Sequence, residues 1–199
     1  MSITTFTTLT RVKVHLATGG ADPLAATHDD YLNELLRAYS AEFERYLGRR
    51  SQVVERREQF NVEPGQHLIV LPAYPVSSVA TVINDTGRDF DGSAIDSDDY
   101  YVNEEAGLIE VDNVSLIPGR GAVRVTWTGG LGTNTTALVR DFPDLAHACD
   151  LQTIYHFRRR QSLGASGLSQ GGGNVSWEGA LDLLPTVKQI LDRRKRVRF

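Results

Sequence analysis

Apolar residues recur along this chain at two different spacings, and the switch between them divides it into three parts. Up to about residue 50 the spacing is helical. Leu9, Val12 and Leu16 lie on one side of a first helix, with Lys13 beside them, and Gly19-Gly20 stops it. Thr27 stands three positions before Asp30, a capping-box variant with Asp in place of Glu. A long amphipathic helix is predicted to follow, with Tyr31, Leu32, Leu35, Leu36, Tyr39, Phe43, Tyr46 and Leu47 on its apolar face. Gly48 suits its C-terminal cap, and Arg49-Arg50 the negative end of its dipole.

From about 51 to 135 the period shortens to two. Val53 to Val62 and His67 to Leu71 read as strands around Pro64-Gly65, and Pro72 and Pro75 interrupt before Val79 to Ile83 resumes. Tyr100 to Asn103 and Leu108 to Val111 predict a hairpin around Glu105-Ala106-Gly107. Val123, Val125 and Trp127 alternate with Arg124, Thr126 and Thr128, which predicts a strand with one apolar and one polar face, ended by Gly129-Gly130. No alternation of strands with helices is present, so a parallel sheet is not expected. Helical spacing then returns. Phe142-Pro143 opens a helix running to about Ser162, with Leu145, Ala146, Cys149 and Thr153 on one face and Leu151, Ile154 and Tyr155 on another. The stretch holding Gly164, Gly167, Gly171, Gly172 and Gly173 has the composition of a hinge loop. A last helix starts near Pro185, carries Val187, Ile190 and Leu191 as a narrow stripe, and ends in a run of basic residues.

Composition narrows the function. The chain has 199 residues, 41% hydrophobic and 23% charged, with a formal net charge of -4. That suits a globular domain with a sizeable insertion and argues against a general nucleic-acid coat, which would be strongly basic. The single cysteine, Cys149, permits no intrachain disulfide. The first residues lack the basic start and apolar run of a signal peptide, and no stretch reaches the ~18 apolar residues of a membrane span. A soluble intracellular protein with no membrane partner is the expectation, and cytoplasmic assembly fits it.

No constellation of reactive groups emerges. His15, His28, His67, His147 and His156 are scattered, and the two that share a helix do not have the spacing to face one metal. Cys149 lies on a buried face with no basic neighbour to activate it. Gly171-Gly172-Gly173 is not followed by the Lys-Ser/Thr of a phosphate loop. The acidic middle, from Asp85 to Asp112, holds only a fragment of a calcium loop at Asp89-Phe90-Asp91-Gly92 and reads as solvated turns. No catalytic residue, metal or cofactor is therefore expected. The basic end is the more telling charge feature. Val187, Ile190, Leu191 and Phe199 supply apolar anchors beside Arg193, Arg194, Lys195, Arg196 and Arg198, the pattern of a helix that docks in a groove while arginines fix its register. Trp177 is a further candidate anchor.

Several segments, taken in order, carry a resemblance. They are the early helix closing in Tyr46-Leu47-Gly48-Arg49, then Leu71-Pro72-Ala73-Tyr74-Pro75-Val76-Ser77-Ser78-Val79, and then Val125-Thr126-Trp127-Thr128-Gly129-Gly130. Phe142-Pro143-Asp144-Leu145 opens a helix ending near Arg158-Arg159-Arg160, followed by the Gly/Ser loop and the short basic helix. This order resembles the head-tail connector (adaptor, head-completion) proteins of long-tailed phages and related gene-transfer particles, over almost the whole chain. Trp127 stands where that family more often has Tyr, and residues 84 to 99 match none of its motifs.

The resemblance implies a structural protein of the particle neck. It implies a ring, commonly of twelve copies, beneath the portal protein, with a stopper or tail-completion protein on the opposite side and double-stranded DNA passing through the channel. It also implies that the C-terminal segment reaches the portal. The expected fold class is α+β: a helical bundle from both chain ends, residues 1–50 and 136–199, with residues 51–135 inserted as an antiparallel β region. A DNA-binding module using the basic C-terminal helix is the alternative.

Overall fold

The computed structural model describes residues 4–17, 26–159, 167–170, 173–176 and 182–195. The fold mixes α-helices with antiparallel sheet, and it divides into two compact units. Gly48–Asn134 forms one, and Met1–Leu47 with Thr135–Phe199 the other.

In the helical unit, α1 (Leu9–Ala17) and α2 (Asp29–Leu47) take the places their apolar spacing predicts. Leu32, Leu35, Leu36, Tyr39, Phe43 and Leu47 are buried along one side of α2. Asp29 and Asp30 sit in its first turn, where carboxylates complement the helix dipole. Gly48, at φ +64°, supplies the left-handed residue that ends it. The segment before α1 is also tied down: Phe6 is fully buried, lies 5.8 Å from Phe43, and donates its backbone N–H to Ser40 Oγ at 3.1 Å.

The third region holds one helix more than the sequence suggests. α3 (Thr135–Asp141) has no counterpart in the sequence reading, whereas α4 (Pro143–Arg159) begins at Pro143 as expected. Proline lacks the N–H that continuation of α3 would need, but it fits a first helical position, so one helix becomes two. α4 touches α1, α2, α3 and α5 (Pro185–Asp192), and this explains apolar groups on more than one face. Its Asp150 is fully buried and accepts hydrogen bonds from Thr7 Oγ1 (2.7 Å) and Arg11 Nε (2.6 Å), with His15 Nδ1 3.7 Å away. A buried carboxylate has to be met in this way. Here the demand joins α4 to α1 and the segment before it. Where a single glycine-rich loop was expected, β7 (Gly167–Gln170) and β8 (Gly173–Ser176) pair antiparallel.

The second unit holds two three-stranded sheets. In the first, β6 (Gly119–Gly129) lies between β1 (Val54–Val62) and β3 (Val76–Asn84); in the second, β5 (Leu108–Val111) lies between β2 (Leu68–Val70) and β4 (Tyr100–Asn103). All pairings are antiparallel. β3 begins directly after Pro75, so proline starts this strand instead of delaying it to Val79. The expected polar face of β6 is corrected at one position: Thr126 is buried between its cross-strand neighbours Arg57 of β1 and Thr81 of β3, whereas Arg124 and Thr128 on the same face are half-buried. The core joins Ile69, Leu71, Val82, Ile109, Val123, Val125 and Trp127. Trp127 is fully buried, and its indole N–H donates to the Ala73 carbonyl at 3.0 Å. The two ends of this unit are stitched together: Gly132 N–H donates to Ser51 O at 2.9 Å, and Val53 N–H to Gly132 O at 2.9 Å.

Candidate partner-docking site

Among the described residues there is no group of three or more His, Cys, Asp or Glu able to hold a metal, and no helix long and apolar enough to cross a membrane. Burial pushes the Cys149 thiol up to about 12, and Asp150 beside it acts in the same direction. His156 has its Nδ1 against the Tyr39 hydroxyl. Partial burial holds it below the usual histidine range, with Arg159 as the second cause. Among the described residues no basic group is placed to activate the Cys149 thiol.

The segment singled out for docking is α5. It opens with Pro185 at its first turn and without a side-chain cap on Leu184. Val187 and Leu191, four apart, are fully buried against the chain's own helices, and Leu183 before them is buried too. Ile190 is half-buried. Arg193, Arg194 and Lys195 follow on the surface. Gly167 and Gly173 fall in the paired strands β7 and β8 and not in a loop. Gly164, Gly171, Gly172, Trp177, Arg196, Arg198 and Phe199 lie outside the described residues.

Three residues that sequence reasoning did not connect with α5 hold it in place. Gln152, buried in α4, uses both ends of its amide: Oε1 accepts the Leu184 N–H at 2.9 Å, and Nε2 donates to the Asp182 carbonyl at 3.4 Å. This satisfies one of the backbone donors that an uncapped helix start leaves over. At the far end, Asp144 in the first turn of α4 receives Arg194 Nε at 2.9 Å and Nη2 at 3.3 Å, a two-pronged pair. The Arg194 guanidinium also lies 5.4 Å from the Phe142 ring centroid. Tyr46 on α2 donates its hydroxyl to Asp192 at 2.7 Å, while the Lys195 ammonium sits 4.4 Å from its ring. The bond to Asp192 raises the Tyr46 hydroxyl above the usual tyrosine range. Tyr46 did carry a signal in the sequence: a phenol at the edge of an apolar face needs a polar partner for its tip. Gln152 and Asp144 carried none that singles them out.

The profile of the family described as "Head completion protein" matches residues 7–197. The chain belongs to the head completion protein family. No curated protein matches. Among solved structures, this head completion protein is similar to a chain in the neck of an empty gene transfer agent particle computed with C6 symmetry: TM-score 0.63, 20% identity, 96% of this chain and 89% of that one covered. It is also similar to a chain in the virion of a native gene transfer agent particle, with TM-score 0.63, 19% identity and coverage of 100% and 94%. A third likeness is to a chain in the neck of a native particle computed with C12 symmetry, with TM-score 0.55, 19% identity and coverage of 100% and 97%. At these identities the likeness concerns the fold. The family agrees with the connector resemblance carried by the sequence motifs.

Proposed function

We propose that this head completion protein is a structural head-tail adaptor of a phage-like particle. Its copies form a ring beneath the portal, twelve in number, and link the DNA-filled head to a stopper or tail component. DNA passes through the channel. In this reading the helices from both chain ends form one bundle that builds the ring, and the β unit is an insertion carried by it. The carrying observation is the family match over residues 7–197. The similar fold of chains in gene transfer agent necks, one computed with C12 symmetry, supports the ring and its place. A ring of identical subunits needs a head-to-tail interface that closes, and such an interface uses two different patches of one chain.

The basic end following α5 is the part that meets the portal. Docking on a protein surface fits it better than binding duplex: Arg194 and Lys195 are already engaged by Asp144 and the Tyr46 ring, so they are not arrayed toward phosphate. The test is a chain ending at Asp192, which retains Val187 and Leu191 and lacks the basic end. Portal-bearing heads given this chain remain unjoined to tails, whereas the full chain joins them. Joining by the shortened chain, scored by electron microscopy of particles, overturns the reading.

A further inference from the structure

The two ends of α5 are held in different ways. Its start is fixed from inside, by the buried Gln152 amide acting on Asp182 and Leu184. Its end is held from outside, by Arg194 on Asp144, Asp192 under the Tyr46 hydroxyl, and Lys195 over the Tyr46 ring. Arg194 and Asp144 are partly open to water, at 40% and 34% side-chain exposure, and exposed ion pairs contribute little. An eight-residue helix is marginal by itself, so it stays helical only where its apolar side is covered. That side is covered here by the chain itself, since Val187 and Leu191 are fully buried. A partner gains Leu191 only by displacing the end of α5 from its seat.

We propose that α5 is a clasp, fixed at its start by Gln152 and closed at its end by Asp144 and Tyr46, which opens from the Arg194 end on meeting a partner surface that offers carboxylates beside an apolar groove. Arg194 then exchanges Asp144 for a partner carboxylate, and Leu191 exchanges its own core for the groove. The free subunit thereby keeps its docking anchors covered until the right acidic surface is present. The clasp rests on the docking reading above, and it names the regulation of that same site.

Two variants loosen the outer hold: Asp144→Asn removes the charge facing Arg194, and Tyr46→Phe removes the bond to Asp192 while keeping the ring under Lys195 and leaving α4 untouched. Hydrogen exchange of the full-length variants should speed up at the amides of the last turn of α5 in both, and leave α4 beyond its first turn unchanged. Binding to the purified portal protein should tighten by about threefold, the scale of one exposed pair. The double exchange Asp144→Arg with Arg194→Asp should restore slow exchange. Faster exchange with unchanged or weaker portal binding overturns the clasp, and so does unchanged exchange. The chain ending at Asp192, measured alongside, separates the two ideas. If it binds portal as the full chain does, the docking reading fails; if it does not bind while Asp144→Asn gains nothing, only the clasp fails.

Discussion

Asp150 shows how one buried charge organises its surroundings. Thr7 is aimed at it from the segment that leads into α1 and Arg11 from α1 itself, so removing the carboxylate leaves two donors facing a vacancy. Asp150→Ala should cost about 3 kcal/mol in chemical unfolding, discounted from a fully buried pair because Arg11 is partly exposed. An unchanged midpoint would show that water replaces the carboxylate freely. Cys149, its neighbour, gives the opposite kind of prediction. Its thiol is held up at about 12 by burial, so a thiol reagent should leave the folded protein unlabelled at pH 8 and label it fully in denaturant. His156 is kept below its ordinary value, so the unfolded chain takes up a proton first. Its neutral form therefore supports the fold fully above about pH 6.5, and that support is lost as pH falls below it. Comparing unfolding at pH 5 and pH 8 should show a smaller acid loss for His156→Gln than for the parent chain. Burial of Cys149 was legible from its helical spacing. The role of Asp150 was not, because a carboxylate in an amphipathic helix looks the same in sequence whether water or an arginine meets it.

Elements were legible where their pattern has one meaning. The long α2 and the hairpin of β4 and β5 stand where their periodicities put them. Misreadings cluster where one residue type serves two purposes. Threonine at position 126 alternates like a solvent-facing residue, yet β6 is flanked on both edges and buries it. Pro143 opens a helix, and the helix it closes off, α3, is too short to show a period of its own. Trp127 anchors β6 by both its area and its indole bond to Ala73, so Trp127→Ala should cost about 3–5 kcal/mol, read from denaturant midpoints. Gly130 is a stricter constraint. With φ +145°, a β-carbon there would stand 2.3 Å from the Gln52 carbonyl oxygen. Gly130→Ala therefore pushes apart the backbone that joins the two ends of the β unit, and should lower the melting temperature of that unit. For α5 the apolar stripe was readable, but which surface it covers was not: a stripe of Val187 and Leu191 has the same spacing whether the groove belongs to the same chain or to another.

At the scale of the whole molecule, the period of the apolar pattern switches near residues 50 and 135, and the chain passes from one compact unit to the other at Leu47–Gly48 and Asn134–Thr135. Family membership was legible because short motifs keep their order over nearly the full length. The pairing of β6 with β1 and β3 was not, since strands distant in sequence give no local sign of which neighbour they take. Residues 48–134 carry their own core and both of their sheets, so expressed alone they should fold and unfold in one cooperative transition, checked by circular dichroism and dispersed amide resonances. A molten fragment would mean that the helices complete the unit. The zippering of Ser51 and Val53 to Gly132 has a further consequence. The backbone enters and leaves the β unit through segments that are hydrogen-bonded to each other, so the unit closes on itself at its own two ends. Two chain ends that close on each other also mean that a segment of different length between Ser51 and Gly132 changes the sheets without moving the points where the chain enters and leaves them.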